Sequence, residues 1–133
     1  MSTAPFRLAS TVLGTPDPPG LAAFYVELLG WRYRDDDHDA DPEWVVIKPP
    51  HGEGDTGLSF QLETEHVPPV WPAGPGGQQM QLHLDIEVGE DLDGAVAWAE
   101  SLGATQAAYQ PQDLVRVMLD PAGHPFCLFA PGG

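Results

Sequence analysis

Two stretches of this chain align position by position, and that internal repeat constrains the fold more than any other feature. Residues 81–104, QLHLDIEVGEDLDGAVAWAESLGA, run from an alternating strand through an acidic cap and an amphipathic helix to a glycine stop. Residues 7–31, RLASTVLGTPDPPGLAAFYVELLGW, give the same order. Asp17-Pro-Pro-Gly20-Leu21-Ala-Ala-Phe24 lies over Asp91-Leu-Asp-Gly94-Ala95-Val-Ala-Trp98, with one residue gapped before Gly30 and Gly103. Asp17 and Asp91 suit the N-cap, where a carboxylate oxygen accepts an unpaired N–H of the first turn, and Pro18 suits the first helical position. Gly30 and Gly103 suit the left-handed residue that ends a helix. Between these signals Leu21, Phe24, Tyr25, Leu28 and Leu29 form one apolar stripe, and Leu92, Ala95, Val96, Ala99 and Leu102 form the other. Each helix has one face to bury.

The flanking segments extend both copies to the same order. In the first, strands are expected at 6–13, 31–34, 44–48 and 57–63, with Gly14 to Pro19 turning into the helix. The acidic run DDDHDAD at 35–41 reads as a solvated loop, since closely spaced like charges avoid burial. In the second, strands are expected at 80–88, 104–108, 113–119 and 124–129, around a helix at 92–102. Asp120-Pro121-Ala122-Gly123 reads as a type I turn between the last two strands. Module 1 therefore spans about 5–64, a Pro/Gly-rich connector 65–77, and module 2 about 78–130. Both read βαβββ, and the fold class is α+β. Two such modules can pair their sheets into one curved mixed sheet around a central cavity, with the helices outside.

Composition narrows the partners. The 133 residues and 42% hydrophobic content suffice for one domain with a single core. Five basic against twenty acidic residues give a formal charge of −15, which repels nucleic acid and anionic membrane surfaces. There is no apolar run of the roughly 20 residues that span a bilayer, and MSTAPFRLAS lacks a signal-peptide core, so the expected location is cytoplasmic. The one cysteine, Cys127, excludes an internal disulfide and a Cys-rich zinc module.

Strand alternation selects the side chains that face the expected cavity. Leu82, Leu84, Ile86 and Val88 take the helix side of strand 80–88, leaving Gln81, His83, Asp85 and Glu87 on the other. The same rule turns Gln61 away from Leu58, Phe60 and Leu62, and turns Cys127 and Phe129 away from Phe126 and Leu128. Arg116, among apolar neighbours, needs an anionic ligand group or an internal partner. Trp71, in the connector, is either a lid over the cavity or packing between the copies.

The segments DPPGLAAFYVELLGW (17–31), QQMQLHLDIEVGEDLDGAVAWAESLGA (78–104) and VRVMLDPAGHPFCLF (115–129) together resemble the vicinal oxygen chelate superfamily of glyoxalase I, extradiol dioxygenases and the bleomycin- and fosfomycin-resistance proteins. The resemblance implies paired βαβββ modules, a homodimer, and metal ligands at four positions, here Ser10, Gln61, His83 and Cys127. His83 is the expected ligand. Ser10 stands where His is common and Cys127 where Glu normally follows the turn. A catalytic divalent ion needs about three protein ligands and an open position. The expectation is therefore a pocket for a small organic ligand, formed by Gln61, Trp71, His83, Arg116 and Cys127, with no cofactor. The alternative is a metal-dependent lyase, isomerase or dioxygenase using His83 and Gln61 as ligands, or a metal-free enzyme with His83 as general acid/base.

Overall fold

The computed structural model describes residues 5–133, as β1 (Ser10–Thr15), α1 (Pro18–Leu29), β2 (Arg32–Tyr33), β3 (Trp44–Lys48), β4 (Gly57–Leu62), β5 (Leu84–Glu87), α2 (Leu92–Ser101), β6 (Thr105–Gln106), β7 (Val115–Leu119) and β8 (Pro125–Phe129). The chain divides into two compact units, the first ending at Thr64 and the second running from Glu65 to Gly133. Each holds one helix and one mixed four-stranded sheet, in the order β1-β4-β3-β2 and β5-β8-β7-β6. The tandem βαβββ reading is observed. Among the described residues no helix is long and apolar enough to cross a membrane.

The repeated Asp-x-x-Gly signal has a steric basis. Asp17 Oδ1 accepts the N–H of Gly20 at 3.1 Å, and Asp91 Oδ1 accepts the N–H of Gly94 at 2.9 Å. A Cβ on either glycine would run into the carboxylate of its own cap. Glycine, a poor helix former, thus lets each cap carboxylate keep this placement, where a Cβ would make it turn aside. At the other end Gly30 has φ 67° and donates to Val26 O. Gly103 has φ 114°, and the bonds Gly103 N–H to Glu100 O and Ala104 N–H to Ala99 O close a Schellman motif.

Each helix covers one sheet face. In the first unit Leu21, Phe24 and Tyr25 are buried with Leu13, Ile47 and Phe60, and the Tyr25 and Phe60 rings stack with centroids 5.8 Å apart. In the second, Val96 and Ala99 are buried with Met118, Phe126 and Leu128. Trp98, which aligns with buried Phe24, is 48% exposed.

The largest departures from the expected strand bounds are the late starts of β1 and β5. β1 occupies Ser10–Thr15 rather than 6–13, because its parallel ladder with β4 starts at the Ser10–Gly57 pair and continues through Gly14 to Thr15–Leu62. β5 occupies only Leu84–Glu87 of the expected 80–88. Its parallel partner β8 starts at Pro125, which has no N–H to extend the ladder, so pairing begins at Leu84–Phe126. Leu82, expected against the helix, is 71% exposed.

The β7–β8 turn and the connector fit together. Asp120, buried, accepts the N–H groups of Ala122 and His124 at 2.9 and 3.0 Å, and its carbonyl takes Gly123 N–H at 2.8 Å, the expected turn bond. His66 of the connector bonds Ala122 O at 2.8 Å, and a Cβ on Gly123 (φ 86°) would stand 2.7 Å from Pro68 Cβ. Beyond the short β6, the Gln110 side chain continues the ladder along β7. Its Nε2 donates to Val117 O and Ala107 O, and its Oε1 accepts Val117 N–H, each at 2.9 Å.

The steric coupling of cap and glycine gives a measurable prediction. Asp91→Ala costs about 1 kcal/mol. Gly94→Ala gains less than the roughly 1 kcal/mol its helix propensity offers while Asp91 is present, and recovers that gain in the Asp91→Ala background. Denaturant unfolding of the four proteins measures the coupling; additivity within about 0.3 kcal/mol would disprove it.

Candidate functional site

Strand pairing in the second unit brings its polar side chains together. Asp85 lies opposite Cys127 and Glu87 opposite Phe129 in the parallel β5–β8 ladder. Val117 lies opposite Cys127 and Val115 opposite Phe129 in the antiparallel β7–β8 ladder. Asp85, Val115, Cys127 and Phe129 therefore share the face turned away from buried Phe126 and Leu128. His83, immediately before β5 and two residues before Asp85, joins them, with Nε2 3.1 Å from Asp85 Oδ1. Together with Gln112 and the backbone of Gly133 these residues line a cavity of about 270 Å³.

His83 and Cys127 were legible as neighbours from strand alternation, and they do line one cavity. Alternation places Asp85 on the same face, among the groups beside His83 that can orient its ring or bind a ligand, and Asp85 is the group that touches both His83 and Cys127. Gln112 comes from the irregular segment before β7, where no periodicity marks it.

The first unit holds the matching positions with different chemistry. Ser10 lies two residues before Val12, whose ladder partner is Ser59; His83 lies two residues before Asp85, whose partner is Cys127. The Ser10 and Ser59 hydroxyls are 2.6 Å apart, and Ser59 is 1% exposed. Gln61, opposite Gly14 and Trp44, sits one pleat further on and is exposed, matching Phe129 rather than Cys127. The four positions that the resemblance implies, Ser10, Gln61, His83 and Cys127, thus hold a hydroxyl bonded to its neighbour, an exposed neutral amide, an imidazole and a thiol. That set does not fit the superfamily's metal, for want of donors in the first unit.

Arg116 is not brought to this cavity. It pairs with Leu128, on the helix side of β7, and its Nη1 donates to the carbonyls of Gln112, Asp113 and Val115 at 3.3, 2.9 and 2.9 Å. Its partners are local carbonyls, which resolves the need for an internal partner. Trp71 does not line the cavity either. Its ring stacks on Tyr109 within the second unit, centroids 5.8 Å apart.

The electrostatics of the cavity centre on Cys127. Burial first, then the negative charge of Asp85 and a hydrogen bond to its carboxylate, push the thiol pKa up. Without a cation beside it, Cys127 is a protonated donor to Asp85 and not a thiolate nucleophile. The acidic loop of the first unit lines a second cavity, of about 190 Å³, with Trp44 and Val46. There His38 stacks on Tyr33 at 3.6 Å, and Arg34, bonded to Asp35, holds that carboxyl below the usual carboxylate range.

Comparison with known proteins covers nearly all of these elements. A family model described as a glyoxalase-like domain matches residues 10–129. Among curated proteins there is no match. Among solved structures, a glyoxalase/bleomycin resistance protein/dioxygenase family enzyme from Burkholderia phytofirmans PsJN is 19% identical with a TM-score of 0.66, over 94% of this chain and 98% of that one. TnmS3, an antibiotic binding protein from Streptomyces sp. CB03234, is 20% identical with a TM-score of 0.59, over 98% and 99%. The fosfomycin resistance protein FosX from Listeria monocytogenes, in a mutant complexed with Mn(II) and 1S,2S-dihydroxypropylphosphonic acid, is 12% identical with a TM-score of 0.63, over 96% and 93%. At these identities the likeness is one of fold.

A raised thiol pKa means the folded chain holds this proton to higher pH than the unfolded chain does. The stability linked to it is complete below the pKa of an unfolded cysteine and is lost as pH rises through the folded value. Alkylation of Cys127 by iodoacetamide on EDTA-treated protein should therefore follow a titration displaced above that of a free thiol. Asp85→Asn should move the profile down only part of the way, because burial is the larger cause. Superimposable wild-type and variant profiles would remove Asp85 from that role.

Proposed function

Because the chain belongs to the glyoxalase-like domain family of the vicinal oxygen chelate superfamily, we propose that it captures a small organic molecule in the cavity of its second unit, without turnover and without the superfamily's four-ligand metal. The observation that carries this reading is the cavity itself. Its walls combine Phe129 and Val115 with an imidazole, a carboxylate, a thiol and an amide, the mixture of apolar surface and few polar groups that holds and orients a small molecule. At about 270 Å³ it lies near the lower end of the usual range of roughly 300–1,000 Å³. It suits a compact ligand, or one end of a larger one.

Charge selects among ligands. Asp85 in the cavity and the −15 balance of the chain favour a cationic or hydrogen-bond-donating group over a phosphate or carboxylate. The antibiotic binding protein among the structural neighbours supports capture as a use of this fold. Metal-dependent turnover of the superfamily type has less support, since Ser10 is bonded to Ser59 and Gln61 is neutral and exposed.

A panel of cationic antibiotics and aromatic metabolites, tested by thermal shift and calorimetry on EDTA-treated protein, addresses this directly. A ligand with a Kd of about 10 µM present at about 1 mM adds about 2.7 kcal/mol to stability, a shift of several degrees in Tm. Phe129→Ala should weaken binding of any such ligand, and Asp85→Asn should weaken cationic ligands by only a few-fold, the carboxylate being largely exposed. No shift across the panel at millimolar concentration would remove the reading.

A further inference from the structure

In the second unit Asp85 adds a donor that the superfamily's four-position pattern lacks to two positions that it has, His83 and Cys127. The ligating atoms of His83, Asp85 and Cys127 all lie within 4.8 Å of one another, and all three side chains line the 270 Å³ cavity. They come from one pair of adjacent strands and the residue before it: Asp85 and Cys127 are ladder partners, and His83 is two residues upstream of Asp85. The first unit contributes none of them.

We propose that His83, Asp85 and Cys127 form a three-donor site for a borderline-soft divalent cation, zinc foremost, with its fourth position open to the cavity. A thiolate and an imidazole together discriminate against magnesium and calcium, which take oxygen donors, and one carboxylate completes a mixed set that zinc accepts. Bonds of about 2.0–2.3 Å in tetrahedral geometry place zinc ligands roughly 3.3–3.8 Å apart. His83 Nε2 and Asp85 Oδ1 are already 3.1 Å apart, and no pair of donors is separated by more than 4.8 Å. On binding, Cys127 gives its proton to solvent, and the Asp85 oxygen that had accepted it turns to the ion. The His83 and Asp85 side chains are 39% and 63% exposed, so the ion has an entry path. The cavity leaves room beside it for a water or a donor atom of a ligand.

This inference goes beyond organic capture and stands apart from it, because it is tested with metal alone. Tag-free full-length protein, stripped with EDTA, is titrated with zinc by calorimetry and with cobalt(II) by absorption. The expected result is one ion per chain, with a thiolate-to-cobalt charge-transfer band and the intense d–d bands of four-coordination. Cys127→Ser should abolish the charge-transfer band, and His83→Gln and Asp85→Asn should each weaken zinc at least about tenfold. Ser10→Ala should leave the titration unchanged. Each variant's thermal melt confirms that it is folded, and His83→Gln, at an exposed side chain, keeps the test available should Cys127→Ser fail to fold. Substoichiometric zinc, a cobalt spectrum without the thiolate band, or equal loss of metal in Ser10→Ala would overturn the proposal.

Discussion

The parallel pairing between the first and last strands of each module is the constraint on which the rest depends. β1 with β4 and β5 with β8 are contacts between opposite ends of a module, and they fix the register of everything between them. Once that register is set, alternation sends Leu13 and Phe60, or Phe126 and Leu128, against a helix. It sends the residues between them to the opposite face. A slip of one residue would put Cys127 into the core and Phe126 into the cavity. The hydrophobic pattern thus holds the functional face in place as firmly as it holds the core.

The two modules answer one geometry with different chemistry. The paired hydroxyls of Ser10 and Ser59 occupy the places that His83 and Cys127 occupy in the second module. The serine pair satisfies itself and is partly closed to solvent; the imidazole and thiol instead share Asp85, which remains accessible. The first module keeps the scaffold and the second keeps the reactive groups. The family resemblance predicts the fold well because both modules keep the scaffold whichever groups line it.

Much of this was legible in the sequence because it is local. The caps at Asp17 and Asp91, the glycine stops and the turn at Asp120 are written within five residues, and the faces of β4 and β8 follow from alternation. What escaped is set by distant partners. The start of β5 depends on Pro125 in another strand, and the match of Ser59 rather than Gln61 to Cys127 depends on ladder register. Arg116 finds its carbonyls in an irregular loop, and Trp71 finds Tyr109 across the second unit, neither of which a periodicity can announce. Asp85 was readable on its face but not as the shared partner of two others.

Gln110 bears on how such a protein survives at high concentration. An open strand edge with free N–H and C=O groups invites another chain to add itself, the first step toward aggregation. β6 pairs with β7 only at Thr105 and Gln106, and Ala107 N–H takes the carbonyl of Val117, which would leave the Val117 N–H bare. The Gln110 amide, carrying one donor group and one acceptor like a peptide unit, occupies that position. A single side chain thus blunts a sticky edge that would otherwise need a longer strand. The −15 charge adds mutual repulsion between molecules to the same end.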